Sequence, residues 1–209
     1  YDIESVYSYP YGGENRLARA AEPDTAAEKA WTVRTEKTLA GGSRTVAAGA
    51  FYRITRDIEQ QPTRVLVRDR IENMTTTDVG MALDNRLVAL TGADLEMQAP
   101  GAPNPPVFIA GKNHGVGLVP LNDLYQVSQR TYVAHTQRRC GSAIDGLGIP
   151  PGGAHTLEWA VYPIGTSDYY DLINAIRRDE GLNNLTIDGG LVLGHAGQWQ
   201  KTPHPAELI

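Results

Sequence analysis

A single cysteine, Cys140, rules out any intrachain disulfide, so the fold has no covalent staple. No apolar run approaches the length needed to cross a bilayer as a helix. Positive charge is in deficit: the net charge is −5 and the pI near 5.5, which excludes a binder that relies on nonspecific attraction to phosphate. The common chemical signatures are missing too. There is no GxxxxGK, HExxH, CxxC or GxSxG, and no GxGxxG in a strand-to-helix context. Nothing in the residue pattern calls for a metal or a cofactor. Helices alternating with strands, the mark of a parallel α/β fold, are also missing.

What remains is enough for a core. Apolar residues make up 41% and charged residues 21% of 209, values that argue against general disorder. The chain starts at Tyr1 without an initiator Met, so it is expected to be processed at its start or to be a piece of something longer.

Residues 1–30, rich in Tyr, Gly, Glu and Ala, show no sustained period and read as an N-terminal arm or edge segment. From Trp31 the texture changes to alternation, with Trp31, Val33 and Thr35 on one side and Thr32, Arg34 and Glu36 on the other, followed by the turn Gly41-Gly42-Ser43. Two strands flank Gln60-Gln61-Pro62. In the first, Tyr52, Ile54 and Ile58 share a face with Arg56; in the second, Val65, Val67 and Ile71 share a face with Asp69. Leu66 breaks the alternation. This is the half-buried antiparallel pattern. Arg56 and Asp69, both on apolar faces, are expected to be a structural pair.

VGMALDNRLVAL reads as an inner strand and VFIAGKNHGVGLV as a hairpin turning between Gly111 and Gly115. Further strands are expected at Asp123–Val127, Arg130–Thr136 and His155–Tyr162, with a tight connection at Gly148–Gly153. Near the end, Tyr169, Leu172, Ile173 and Ile176 fall at i, i+3, i+4 and i+7, one helical stripe. Thr166 or Ser167 is the expected N-cap, Arg177 and Arg178 suit the last turns, and Gly181 suits the left-handed C′ position. The expectation is a mainly β chain, a large antiparallel β-sandwich over 31–165 with one C-terminal α-helix, a capping or junction helix, over 166–182, and a tail or the start of a following domain over 183–209.

Candidate chemistry is sparse. The histidines are His114, His135, His155, His195 and His204. His135, His155 and Glu158 are the candidates for acid/base work. Glu158 is three residues from His155, however, and on a strand that spacing puts them on opposite faces. Exposed aromatic rings form platforms for sugars, and Tyr7, Tyr9, Tyr11 and Trp199 are the candidates for that role. Two sequons, at Asn73 and Asn184, matter only in a eukaryotic secretory pathway.

The stretch AGAFYRITRDIEQQPTRVLVRDRIENMTTTDVGMALDNRL resembles large β-sandwich domains of the galactose-mutarotase-like (supersandwich) type. There a strand of R-x-I character leads into V-x-V-x-D-x-I-x-N, here Arg53–Ile58 and Val65–Asn73. TLEWAVYPIGTSDYYDLINAIRRDEGLN resembles the end of such a sandwich, passing through a helix toward a catalytic barrel in bacterial carbohydrate-active proteins. The resemblance implies a noncatalytic accessory domain of a secreted or periplasmic, glycoside hydrolase-like protein, partnered by carbohydrate or by a neighbouring catalytic domain. It brings no catalytic residue, because the His and Glu pair of a mutarotase has no counterpart in the pattern. Two other readings stand beside it: an assembly subunit of an extracellular filament or coat that oligomerises through its terminal arms, and a stand-alone sugar epimerase or lyase.

Overall fold

The computed structural model describes residues 1–8, 13–17, 28–38, 41–90, 94–100 and 105–182. The chain divides into two compact units, 1–176 and 177–209. The first begins with β1 (Asp2–Ser8), β2 (Glu14–Arg16), β3 (Thr32–Lys37), β4 (Ser43–Ala48), β5 (Tyr52–Gln60), β6 (Val65–Asn73) and β7 (Val79–Val88). It continues with β8 (Glu96–Gln98), β9 (Val107–Ala110), β10 (Gly115–Pro120), α1 (Asp123–Ser128), β11 (Arg130–Ala134), β12 (Arg139–Ile149) and β13 (Ala154–Ile164). Helix α2 (Tyr169–Asp179) follows.

Two antiparallel sheets form a sandwich. The smaller has the order β11-β12-β7-β1-β2 and the larger β3-β4-β5-β6-β13-β10-β9-β8. Strand β7 pairs on both sides, with β1 and β12, in keeping with its continuous apolar character. The core between the sheets is built from the inward residues of both, among them Tyr52, Ile54, Ile71, Leu87, Ile109, Leu118 and Leu157, all fully buried.

Residues 2–8 do not form an arm or an edge. They are β1, hydrogen-bonded to β7 on one side and β2 on the other. β1 lies inside the smaller sheet, and β2, from the same first thirty residues, is its edge strand.

Asp123–Val127 is helical, where alternation had suggested a strand. In a strand Tyr125 and Val127 would share a face. Here Tyr125 is fully buried while Val127 is 85% exposed, a separation that only the 100° step of a helix provides. Asn122 anchors the entry: its Oδ1 accepts the Glu158 N–H at 3.0 Å and its Nδ2 donates to the Thr156 carbonyl at 2.8 Å.

The break in alternation at Leu66 has its cause in α2. Leu66, Phe108, Val119, Ala160 and Tyr162 lie on the outer face of the larger sheet and pack with Leu172 and Ala175 of the helix in a second apolar cluster. A β-carbon at Gly117 would lie 2.5 Å from Leu172 Cδ2, so glycine there lets the helix sit directly on the strand. Ala175 is buried and Ile173 only half-buried, so the stripe is centred one position away from its expected line. The N-cap is Asp168, whose carboxylate accepts the Tyr170 N–H at 2.8 Å; Thr166 instead donates its hydroxyl to Asp171. Leu172→Ala is expected to lower the unfolding free energy by about 2–5 kcal/mol, the range for removing a buried leucine side chain. Urea denaturation checks this, and a change below about 1 kcal/mol would mean the helix is not held by this contact.

The uncovered part of the same outer face carries the register row Glu36, Arg44, Asp57, Arg68 and Glu158, alternating in sign across five strands. Such a row is the cross-strand charge pattern of a solvated sheet face. In the second unit, taken by itself, Gly181 adopts φ +68°, its N–H donating to the Arg178 carbonyl, while the Leu182 N–H donates to that of Arg177. This is the left-handed helix stop expected of that glycine.

Candidate functional site

Arg56 and Asp69 meet as a buried fork. Arg56 Nε donates to Asp69 Oδ1 and Nη2 to Oδ2, both at 2.7 Å. Asp69 Oδ2 also accepts from Trp159 Nε1 at 3.0 Å and from the Tyr7 hydroxyl at 3.5 Å. The guanidinium carbon lies 5.1 Å from the Trp159 ring centroid. The network then crosses to the other sheet. Asn85 Oδ1 accepts from Ser5 Oγ at 2.6 Å and from Arg56 Nη2 at 3.3 Å, and Asn85 Nδ2 donates to the Tyr125 hydroxyl at 2.9 Å. Burial works against the Arg56 charge, but Asp69 outweighs it and holds the guanidinium pKa above its ordinary value. Burial, reinforced by Asp69, pushes the Tyr7 phenol well up. The arrangement is closed to solvent and supplied with partners on every side, which makes it a clasp between the sheets rather than a reaction centre.

Tyr7 is thereby corrected. It is fully buried and presents no platform to a ligand, because its position on β1 turns it inward. Tyr9, Tyr11 and Trp199, with His195 and His204, lie outside the described residues. Asn73 of the first sequon is also buried: Nδ2 donates to the carbonyls of Thr77 and Ile149, and Oδ1 accepts from the Thr75 N–H and hydroxyl. Asn73 is a turn clasp, with its amide fully engaged. Cys140 is buried, and burial pushes its thiol up to about 12, which keeps it protonated and inert.

The three acid/base candidates do not converge. His135 lies in the turn before β12, and the His155 ring contacts the Gly148 carbonyl at 3.0 Å near the far end of that strand. Most of the length of β12 separates the two, about 30 Å. Glu158 points to the outer face of the larger sheet, where it accepts from Arg68 Nε at 3.1 Å. Among the described residues, no group of three or more His, Cys, Asp or Glu side chains is placed to hold a metal.

The polar groups that do gather on one surface were not singled out by sequence. On the face of the smaller sheet turned away from the core, the register aligns Glu4, Arg86, Gly141 and Tyr132 across four strands. Arg86 donates to Glu4 Oε2 at 2.8 and 2.9 Å and to Asp84 Oδ2 at 3.2 Å; the Tyr132 hydroxyl donates to the same Asp84 oxygen at 2.7 Å. Burial, with the hydrogen bond to Asp84, raises the Tyr132 phenol above its ordinary pKa. Asp84 Oδ1 is buried and has no hydrogen-bond partner among the described residues.

Next to this row β12 carries a bulge. Its register shifts between Ile144, opposite Leu83, and Leu147, opposite Met81, so Asp145 and Gly146 together face Ala82. The bulge brings Asp145 onto Arg130, with Nε to Oδ2 at 2.5 Å and Nη2 to Oδ1 at 2.9 Å. Arg130 holds the Asp145 carboxyl below its usual range. The Arg130 guanidinium lies 5.7 Å from the Tyr132 ring centroid. Beside the fork is an open depression of about 430 Å³ lined by Ser8, Gly80, Ala82, Asp145, Gly146 and Gly148. No heavy atom of the described residues lies within 4 Å of a β-carbon built on Gly80, Gly146 or Gly148. The sequence offered one legible signal, the close spacing of glycines around Asp145; it could not reveal the bulge, which exists only in the pairing with β7.

No protein-family model and no curated protein matches this sequence. Solved structures similar to it include a polysaccharide lyase, with a TM-score of 0.48 and 11% identity over 83% of this chain and 27% of that one. A mutant of heparan sulfate lyase HepC from Pedobacter heparinus gives 0.44 and 12% identity over 66% of this chain and 22% of that one. A candidate aldose 1-epimerase from Escherichia coli K12 gives 0.43 and 11% identity over 76% of this chain and 78% of that one. The chain thus spans about a quarter of the length of the two lyases and about three quarters of the epimerase.

Proposed function

We propose that this chain is a carbohydrate-associated β-sandwich domain without catalysis of its own, which holds glycan beside a catalytic neighbour in a secreted or periplasmic bacterial protein of the glycoside hydrolase-like type. The observation that carries the reading is the bulge-borne Arg130–Asp145 fork standing beside a glycine-floored depression. A strand glycine with neither a packing nor a conformational reason suits close approach by a flat ligand. A pyranose ring laid on that floor would bring its hydroxyls to the carboxylate and guanidinium of the fork, both more than half exposed. The separation of His135, His155 and Glu158 supports the noncatalytic part of the reading. The assembly alternative is not favoured at its N-terminal arm, since residues 2–8 are β1, paired on both sides within a sheet.

The test is affinity electrophoresis of the whole chain through gels containing neutral or acidic polysaccharides. Retardation by at least one polysaccharide is expected. Asp145→Ala and Arg130→Ala are each expected to weaken it tenfold or more, while changing stability by less than about 1 kcal/mol, as an exposed ion pair allows. Absence of retardation in every gel would remove the glycan-holding role. Release of new sugar ends by the chain alone would remove the noncatalytic one.

A further inference from the structure

A second recess lies on the opposite sheet. On strand β5 the inward residues Tyr52, Ile54 and Arg56 are buried, but Ile58 is only half-buried and Gln60 is exposed. Strand β6 repeats the trend, with Val67 buried and Val65 half-buried. The inner face of the larger sheet therefore emerges from beneath its cover at this end. The register there sets Lys37 beside Ser43, Ser43 beside Ile58, and Gln60 beside Val65.

The β3–β4 turn closes one side. Gly41 takes φ +81°, the Gly42 N–H donates to Thr38 Oγ1 at 3.1 Å, and a β-carbon on Gly42 would collide with the Ile58 carbonyl oxygen. Glycine at both positions is what lets the turn fold down onto β5. The result is a groove of about 410 Å³ lined by Lys37, Thr38, Ser43, Ile58, Gln60 and Val65, within the range of small-ligand sites.

Its chemistry is one-sided. Ile58 and Val65 supply an aliphatic floor, Ser43 and Gln60 supply a hydroxyl and an amide, and Lys37 supplies one positive charge. Among the described residues, no acid lines the groove. The neighbouring acids are engaged elsewhere: Asp57 with Arg44 and Glu59 with Arg68, both on the outer face. Lys37 has no acidic partner among the described residues.

We propose that this groove is a subsite for an anionic sugar unit, a pyranose carrying one carboxylate or one sulfate. The apolar face of the ring rests on Ile58 and Val65, hydroxyls meet Ser43 and Gln60, and the anionic group meets the Lys37 ammonium. The proposal shares the sugar class with the reading above but stands on a different sheet and different residues, so the two fail separately.

Isothermal titration of the whole chain with trigalacturonic acid, a sulfated galactose oligomer and uncharged galactotriose is the test. Preference for the two anionic oligomers is expected, with affinity falling as salt rises. Lys37→Gln, at an exposed position, is expected to reduce that affinity tenfold or more without loss of folding, and Gln60→Trp to block binding by filling the groove. Arg130→Ala on the other sheet is expected to leave it unchanged. Equal affinity for galactotriose, no effect of Lys37→Gln, or no binding of either anionic oligomer would each overturn the groove assignment. If polysaccharide retardation persisted and still depended on Arg130, the shelf on the smaller sheet would stand alone.

Discussion

Asp69→Ala is expected to destabilise the protein by about 3–5 kcal/mol, the cost of leaving a buried charge without its counterion. The substitution strands the Arg56 guanidinium between the sheets and takes the acceptor from Trp159 Nε1 and the Tyr7 hydroxyl. Net stability in proteins of this kind is about 5–15 kcal/mol, so the variant will sit near the limit of folding. The double variant Arg56→Met/Asp69→Leu is expected to recover most of the loss, since an apolar pair of similar volume removes the desolvation cost along with the charges. Urea unfolding followed by tryptophan fluorescence measures both. A single-variant loss below about 1 kcal/mol would show that the clasp contributes specificity of packing without stability.

Alkaline pH is expected to unfold the chain cooperatively. Tyr7, Tyr52 and Tyr125 are buried, and burial is the first cause that raises each phenol pKa above its ordinary value. Above about pH 10 the unfolded chain releases these protons while the folded chain keeps them. The folded state then binds more protons than the unfolded one, so stability falls as pH rises. Below that point the three contribute no pH dependence. By pH 11 the loss is about 1.4 kcal/mol for each, about 4 kcal/mol together. Phenolate absorbance and circular dichroism should therefore change together in one transition. Gradual ionisation of all ten tyrosines with retained dichroism would show that the three are reachable without unfolding.

Much of the architecture was legible because strand alternation and helix spacing are local properties. The hairpins around Gln61 and between Gly111 and Gly115, the inner character of β7 and the glycine stop at Gly181 all follow from residues a few positions apart. The pairing of Arg56 with Asp69 was legible too, since two opposite charges on apolar faces have few other ways to be buried together. Where local reasoning went astray, a distant partner had intervened. Tyr7 alternates like a surface residue, yet β1 lies between β7 and β2 and turns it inward. Leu66 looked like an error in the pattern until α2, about a hundred residues later, covered it. Five-residue windows do not separate a short helix from a strand, and Tyr125 shows the consequence.

By itself, then, the sequence determined the β-rich sandwich, the amphipathic helix near its end, the lack of disulfides and the buried ion pair, because each depends on residue chemistry and near-neighbour spacing. The tertiary structure alone decided which polar groups share a surface. The Arg130–Asp145 fork needs a two-against-one bulge in the β12–β7 pairing, and the Lys37 groove needs a turn folded onto a strand it does not adjoin in sequence. Both arise from strand register, which is set by long-range packing and leaves almost no trace in local composition.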